Sequence, residues 1–267
     1  MHRSIGFAHS EAMRILLTND DGVNASGLKL LEEVASAFTD DLWIVAPAEE
    51  QSGTGHSLTL TRPVRLRRLG ERRFAVAGTP TDSVLMALFH LMPDQRPDVI
   101  ISGINRGANL AEDVTYSGTV SAAMEGALAG VRSIALSQVY AREGMGDTVP
   151  FAAAQHWAPR VLEQLLQTPH EPGTLVNVNF PALAPEEVKG IKVVRQGIRD
   201  YGRTRIVQRT DPRGYPYYWF GLGPSIETPG HQTDLEAIAD GHVSVTPLHL
   251  DLTHDASLHA LADRFAN

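Results

Sequence analysis

Two carboxylates stand side by side at Asp20 and Asp21, where the short apolar run Ile15-Leu-Leu17 ends and Gly22 follows. Placed together they repel unless a cation or a proton sits between them. Three later segments share the design of an apolar run followed by small and polar residues: Ser52-Gly53-Thr54-Gly55-His56, Ser102-Gly-Ile-Asn105-Arg106-Gly107 and Ser117-Gly118-Thr119. Two carboxylates, a serine hydroxyl and an asparagine carbonyl form an all-oxygen donor set. Hard cations such as Mg²⁺ or Mn²⁺ prefer such sets, with water completing the shell. Glycine-rich loops let backbone N–H groups approach an anion, and a helix start bearing hydroxyls offers free amides and a positive dipole end. A cation beside such a helix start suits a phosphoryl group, because it polarises the P–O bond and makes a water nucleophilic near neutral pH.

Taken singly, each segment has a plainer explanation. Adjacent aspartates occur in solvated turns and helix caps, asparagine between glycines tolerates a left-handed turn, and Ser117 has the chemistry of an N-cap. Gly53-x-Gly55 is too short for a dinucleotide fingerprint. His56, the one histidine of eleven in these loops, is either a loop hydrogen-bonder or an acid–base group. The four loops gain weight from lying together on one predicted sheet edge.

The elements that must position them alternate. Strand patterns at Ile15–Leu17, Leu42–Ala46, Val99–Ile101, Ser133–Leu136 and Leu175–Val178 are separated by helical spacings. Leu28, Leu31, Val34, Ala35 and Phe38 form one such helix, with Ser26 as its expected N-cap. Thr79-Pro80-Thr-Asp82 reads as a helix start with a cap, a proline in the first turn and an acid. A helix near Val120 and one over Phe151–Leu166 complete the series. Strands separated by helices imply parallel βαβ units and a three-layer, Rossmann-like doubly wound α/β sheet, whose ligands bind at the strands' carboxyl ends.

The chain has 267 residues, 43% of them hydrophobic and 20% charged, which gives enough length for a sizeable core. A net charge of -8 argues against a general nucleic-acid or anionic-membrane binder, and no stable nucleic-acid complex is expected. Without cysteine there are no disulfides, thiolate metal sites or cysteine nucleophiles. No apolar run approaches a membrane span, so the expected location is cytoplasmic. Residues 1–12 are expected to be a disordered extension, with Met13 the more natural start, followed by a catalytic core over 13–180 and a C-terminal hairpin and tail over 181–267.

Beyond Pro181 the rhythm changes to strand patterns at Ile191–Val194, Arg203–Gln208 and Tyr215–Phe220, the last two flanking the turn Asp211-Pro-Arg-Gly214. Leu235–Ala239 and His242–Thr246 follow as a helical turn and a returning strand. The aromatic hairpin packs either on the parent domain or on a neighbouring subunit. Arg62, Arg65, Arg67, Arg68, Arg72 and Arg73 crowd a β-ribbon, as a solvated face or as an electrostatic guide for a polyanion.

Several motifs, in order, resemble the survival protein SurE family: Thr18-Asn-Asp-Asp-Gly22, Ala46-Pro47 with Ser52-Gly-Thr-Gly-His-Ser57, Gly78-Thr-Pro-Thr-Asp82, Ser102-Gly-Ile-Asn-Arg-Gly107 and Tyr116-Ser-Gly-Thr-Val-Ser121. Asp211-Pro-Arg-Gly214, Tyr217-Tyr-Trp219 and Val243-Ser-Val-Thr-Pro-Leu248 extend the likeness, leaving only the first twelve residues outside it. The resemblance implies a metal-dependent nucleoside-monophosphate phosphatase acting on 5'- and often 3'-monophosphates and, in some members, on short polyphosphate. It implies one divalent ion per subunit, Mg²⁺ or Mn²⁺, on Asp20, Asp21, Ser52 and Asn105, with Asn19 an active-site neighbour. Gly53, Thr54 and Gly55 match a mobile loop on the substrate side, where Asn105, Arg106 and Gly118 also lie. Ser117 and Thr119 match phosphate-side hydroxyls. Either Asp20 or Asp21 orients the water. Position 116 is Tyr where some members carry His, and receives no catalytic role. Homodimers or homotetramers that exchange C-terminal hairpins or tails are implied. The competing reading is a regulatory module that holds metal and nucleotide without turnover, and a third is a sugar-nucleotide transferase.

Overall fold

The computed structural model describes residues 13–140, 151–199, 205–221 and 232–266. The expected N-terminal extension lies outside the described residues. Nine strands form one sheet in the order β3-β4-β2-β1-β5-β6-β7-β11-β8. They are β1 (Ile15–Thr18), β2 (Leu42–Pro47), β3 (Leu66–Arg68), β4 (Arg73–Val76), β5 (Val99–Arg106), β6 (Arg132–Gln138), β7 (Thr174–Phe180), β8 (Ile191–Val193) and β11 (Val243–His249). The run from β4 through β2, β1, β5 and β6 to β7 is parallel, while β3 and β11 pair antiparallel with β4 and β7.

Apolar side chains on both faces explain the central strands. Ile15, Leu16 and Leu17 are all fully buried: Ile15 and Leu17 belong to the apolar cluster under helices α1 (Ser26–Ala35) and α4 (Ala152–Gln167), and Leu16 to the cluster on the opposite face. Parallel strands buried on both sides read as unbroken apolar runs for this reason. The second face is covered by α2 (Pro80–Met86), a π-helical turn (Ala87–Leu91) and α3 (Gly118–Leu128). The architecture is therefore three-layered and mostly parallel, as the alternation of elements implied.

Thr79 closes α2 with a full capping box. Its hydroxyl accepts from the Asp82 amide at 3.0 Å, and Asp82 accepts from the Thr79 amide at 2.8 Å. At α1 the expected cap shifts by one residue: Ser26 is the first helical residue, and Ala25 precedes it with no side-chain cap bond. That helix is held by its apolar face of Leu28, Leu31, Val34 and Ala35 instead.

Two strands of the segment expected to pack on the core, β8 and β11, are members of the core sheet itself, so the sheet extends past residue 180. Val243, Ser244, Val245 and Thr246 are all buried, with Val243 and Val245 joining the apolar cluster under α1 and α4. The hairpin of β9 (Arg205–Thr210) and β10 (Pro216–Gly221) forms a separate two-stranded sheet. Asp211 closes its turn, accepting from the amides of Arg213 and Tyr215 at 2.8 and 2.9 Å. Helix α5 (Asp234–Ala239) precedes β11, and α6 (Asp255–Phe265), which the sequence reading did not foresee, ends the described chain with Leu258, Leu261 and Phe265 exposed. No helix among the described residues is long and apolar enough to cross a membrane.

Candidate active site

From β1 the chain turns one way to β2 and later the other way to β5, so the crevice between the carboxyl ends of β1 and β5 is the topological switch point. The Asn19–Gly22 turn sits there. Asn19 is buried, and its Nδ2 donates to the Gly22 carbonyl at 2.9 Å, bracing the turn. Gly22 has φ +99°, and a Cβ there would lie 3.3 Å from the Glu49 carbonyl carbon. A glycine is thus needed both for the turn and for the close passage of the 49–56 loop. Immediately afterwards, the Gln51 amide donates to the Asp20 carbonyl at 2.7 Å.

The Asp20 side chain points to the start of α3. Its Oδ1 accepts from the Thr119 hydroxyl at 2.5 Å. A Cβ on Gly118 would fall 2.7 Å from the Asp20 Cβ, so the helix reaches this close only because position 118 carries no side chain. Ser117 caps the helix, its Oγ accepting from the Val120 amide at 3.1 Å, which leaves its own O–H as a donor. Asp20 is 4% exposed, and burial pushes its pKa up to about 6, with the Thr119 hydrogen bond opposing and the Asp21 charge adding to the rise. Burial also raises Asp21. The Arg106 amide, which donates to its Oδ2 at 3.3 Å, works against that rise, and the charge of Glu50 adds to it.

These surroundings fit a hard divalent cation. Two buried or half-buried carboxylates are held where their negative charge is penalised, and a cation relieves both. Asn105 gives its Nδ2 to the Gly107 carbonyl at 3.0 Å, so its carbonyl oxygen is left to serve as a ligand. The Ser52 hydroxyl donates to Glu50 Oε1 at 2.8 Å, which leaves its oxygen lone pairs unused. Asn19 Oδ1 is buried without a hydrogen-bond partner among the described residues. No group of three or more His, Cys, Asp or Glu side chains gathers for a metal among those residues. An ion at this site would therefore rest on two carboxylates with neutral oxygens, the set that Mg²⁺ and Mn²⁺ accept.

The expected substrate-side residues divide. Gly55 is tied to the helix start, its amide donating to the Tyr116 carbonyl at 3.1 Å, and Thr54 donates within its own loop to the Gln51 carbonyl at 2.9 Å. Gly53 is exposed at the loop tip. Arg106 contributes its backbone amide to Asp21, while its guanidinium lies 4.7 Å from the Tyr140 ring centroid. Thr119 is fully buried and its hydroxyl donates to Asp20, so it braces the acid from the helix start. The contact is possible because position 118 carries no side chain between Asp20 and the helix start. His56 bonds through Nε2 to Glu125 at 3.0 Å, fastening the glycine loop to α3. Of the ribbon arginines, Arg72 and Arg73 are paired with Asp41 and Glu32 at 2.9 and 2.8 Å.

Sequence reasoning missed two supports. Asn177 and Asn179 both donate to the Asn109 carbonyl, at 2.7 and 3.1 Å, and Asn179 Oδ1 accepts from the Asn109 amide at 2.8 Å. This buried network holds the loop between Asn105 and the 3₁₀ turn Ala111–Thr115 that leads into Ser117. Its signal was two amides at alternate positions of an otherwise apolar strand. The second support is Asp234, which accepts from the amides of Ala111, Gly197 and Leu235, each at 2.8 Å, while Arg199 pairs with Asp113 at 2.7 Å.

Fold and site together define a doubly wound α/β protein with an acidic crevice beside a helix N-terminus at its switch point. A family model described as "Survival protein SurE" matches residues 15–203. The "5'-nucleotidase SurE" of Rhizorhabdus wittichii is 66% identical over 248 residues, covering 93% of this chain and 98% of that protein. The protein of the same name from Erythrobacter litoralis is 56% identical over 253 residues, 95% of this chain and all (100%) of its own. A crystal structure of the Sure protein from Aquifex aeolicus superposes with a TM-score of 0.79 at 40% identity, covering 92% of this chain and 97% of that one. The chain belongs to the SurE family.

Proposed function

We propose that this SurE-family enzyme is a metal-dependent 5'-nucleotidase, hydrolysing nucleoside 5'-monophosphates to nucleoside and inorganic phosphate. The observation that carries this reading is the Asp20–Asp21 turn at the switch point, packed against a helix start whose Ser117 hydroxyl retains its proton. The names of the relatives support it. Asp20, Asp21, Ser52 and Asn105 would hold one divalent ion, Mg²⁺ or Mn²⁺. When bound, the ion supplies a Lewis acid for the phosphoryl oxygens and makes hydroxide available near neutral pH.

The remaining roles belong to side chains and amides of the chain. Ser117 donates to a phosphoryl oxygen, and the open amides and dipole of α3 stabilise charge that grows in the transition state. Thr119 fixes Asp20 in one orientation, so that the acid is aligned before substrate arrives. The 49–56 loop, tied to Asp20 at Gln51 and to Tyr116 at Gly55, forms one wall of the crevice and brings Gly53 to the substrate side. Arg106 stands at the rim beside Asp21. Activity on 3'-monophosphates and short polyphosphate belongs to the same reading, since both present a terminal phosphoryl group, and the exposed Arg62, Arg65 and Arg67 favour polyanions. The exposed aromatic hairpin supports assembly into homodimers or homotetramers.

The test is phosphate release from a panel of 5'- and 3'-nucleoside monophosphates before EDTA, after EDTA, and after Mn²⁺ or Mg²⁺ is returned. Release that EDTA stops and metal restores is the expected result. Release unaffected by chelation contradicts the metal requirement, and no release under any condition contradicts the enzyme.

A further inference from the structure

Glu50 lies beside the acid turn without converging on it as a third ligand, since no three acidic or histidine side chains gather for a metal among the described residues. Its backbone is nevertheless fixed there. The Glu50 amide nitrogen would sit 3.5 Å from a Cβ on Gly22, and the next residue, Gln51, donates its amide to Asp20 at 2.7 Å. From this position its carboxylate accepts the Ser52 hydroxyl proton at 2.8 Å. Its charge also reaches Asp21.

A hydroxyl carries one proton and two lone pairs, so where the proton goes decides which way the lone pairs face. A serine can serve a cation only with its oxygen. We propose that Glu50 is a positioning residue of the metal site: by taking the Ser52 proton it turns the serine oxygen towards the cation that Asp20 and Asp21 require. Without Glu50 the hydroxyl is at liberty to give its proton to another acceptor and to present hydrogen where oxygen is needed. This inference rests on the metal reading above. Outer partners of this kind orient inner ligands, and their loss costs about 10- to 100-fold in metal affinity.

Mn²⁺ titration calorimetry on the full chain, without substrate, tests it. Glu50→Ala should weaken Mn²⁺ binding by about 10-fold, and Glu50→Gln should recover most of the loss, because its amide carbonyl still accepts from Ser52. The Glu50→Ala/Ser52→Ala double variant should bind no more weakly than Ser52→Ala alone. Glu49→Gln removes the same charge from the neighbouring residue and should leave the affinity unchanged. The inference is overturned if Glu50→Ala binds Mn²⁺ like the wild type while Ser52→Ala and Asp21→Asn bind it weakly. It is equally overturned if Glu50→Gln is as impaired as Glu50→Ala, or if the two alanine effects simply add, since charge alone then accounts for the loss. If Ser52→Ala and Asp21→Asn leave Mn²⁺ binding intact, the metal reading itself fails and takes this inference with it.

Discussion

Thr119 shows how much of the site depends on single contacts. Its hydroxyl reaches Asp20 only because Gly118 lets the helix start approach, so the acid, the glycine and the threonine act as one unit. A Cβ at position 118 would meet both Asp20 at 2.7 Å and Pro80 at 3.0 Å, and one of the two must move. Gly118→Ala should therefore lower kcat/KM by about 100-fold, the cost of a displacement near 1 Å in a reacting group. Its circular dichroism spectrum should remain that of the wild type. Activity within twofold of the wild type would contradict the proposed alignment. The acid pair was readable as a candidate because it follows an apolar strand pattern and shares one predicted sheet edge with three other polar loops. Thr119's part was not legible, because sequence spacing says that a hydroxyl starts a helix and not which neighbour it meets. The asparagines at 177 and 179 stayed hidden for a similar reason: their partner, Asn109, lies far away in the chain.

At the scale of elements, the alternation of apolar runs and helical spacings located the parallel strands β1, β2, β5, β6 and β7, while β4 was readable only as part of a ribbon. The Thr79–Asp82 box located the start of α2 to the residue. The short ends were less legible, as with the cap of α1, because packing of an apolar face can override a missing cap. Asp82 makes the α2 cap testable. Burial alone would raise its pKa, but hydrogen bonds from Thr59 and Thr79 outweigh it and hold the carboxyl below its usual range. A depressed folded pKa contributes stability above the unfolded value of about 3.9, and that contribution is lost as pH falls through the folded value. Asp82→Asn should be less stable than the wild type by about 1 kcal/mol at pH 7, with the gap narrowing below about pH 3.9 in urea titrations. A gap that stays constant into acid would contradict the assignment. At Asp234 the three accepted amides predict a larger loss: Asp234→Ala should cost about 3 kcal/mol in the same measurement, since it strands buried donors.

For the whole molecule, the long-range pairing of β11 between β7 and β8 was only partly legible. A returning strand was readable from His242–Thr246, but its insertion into the main sheet depends on where β7 leaves an open edge. The hairpin was readable from its turn and aromatics, and its strands pair with each other outside the main sheet, with Tyr217 and Trp219 exposed and edge-to-face at 6.4 Å. If this face joins subunits, Tyr217→Ser with Trp219→Ser should shift the light-scattering mass towards the 29.0 kDa of one chain. An unchanged mass would place the interface elsewhere. The claim on which everything else depends is that the acid turn at the switch point is catalytic. The most direct measurement is phosphate release from a nucleoside 5'-monophosphate with saturating Mn²⁺, comparing wild type with Asp20→Asn after both are shown to be folded. Release by the wild type and its loss by at least about 1,000-fold in the variant is the predicted result. Equal release by the two proteins would contradict the account and put the chemistry somewhere other than the β1–β5 crevice.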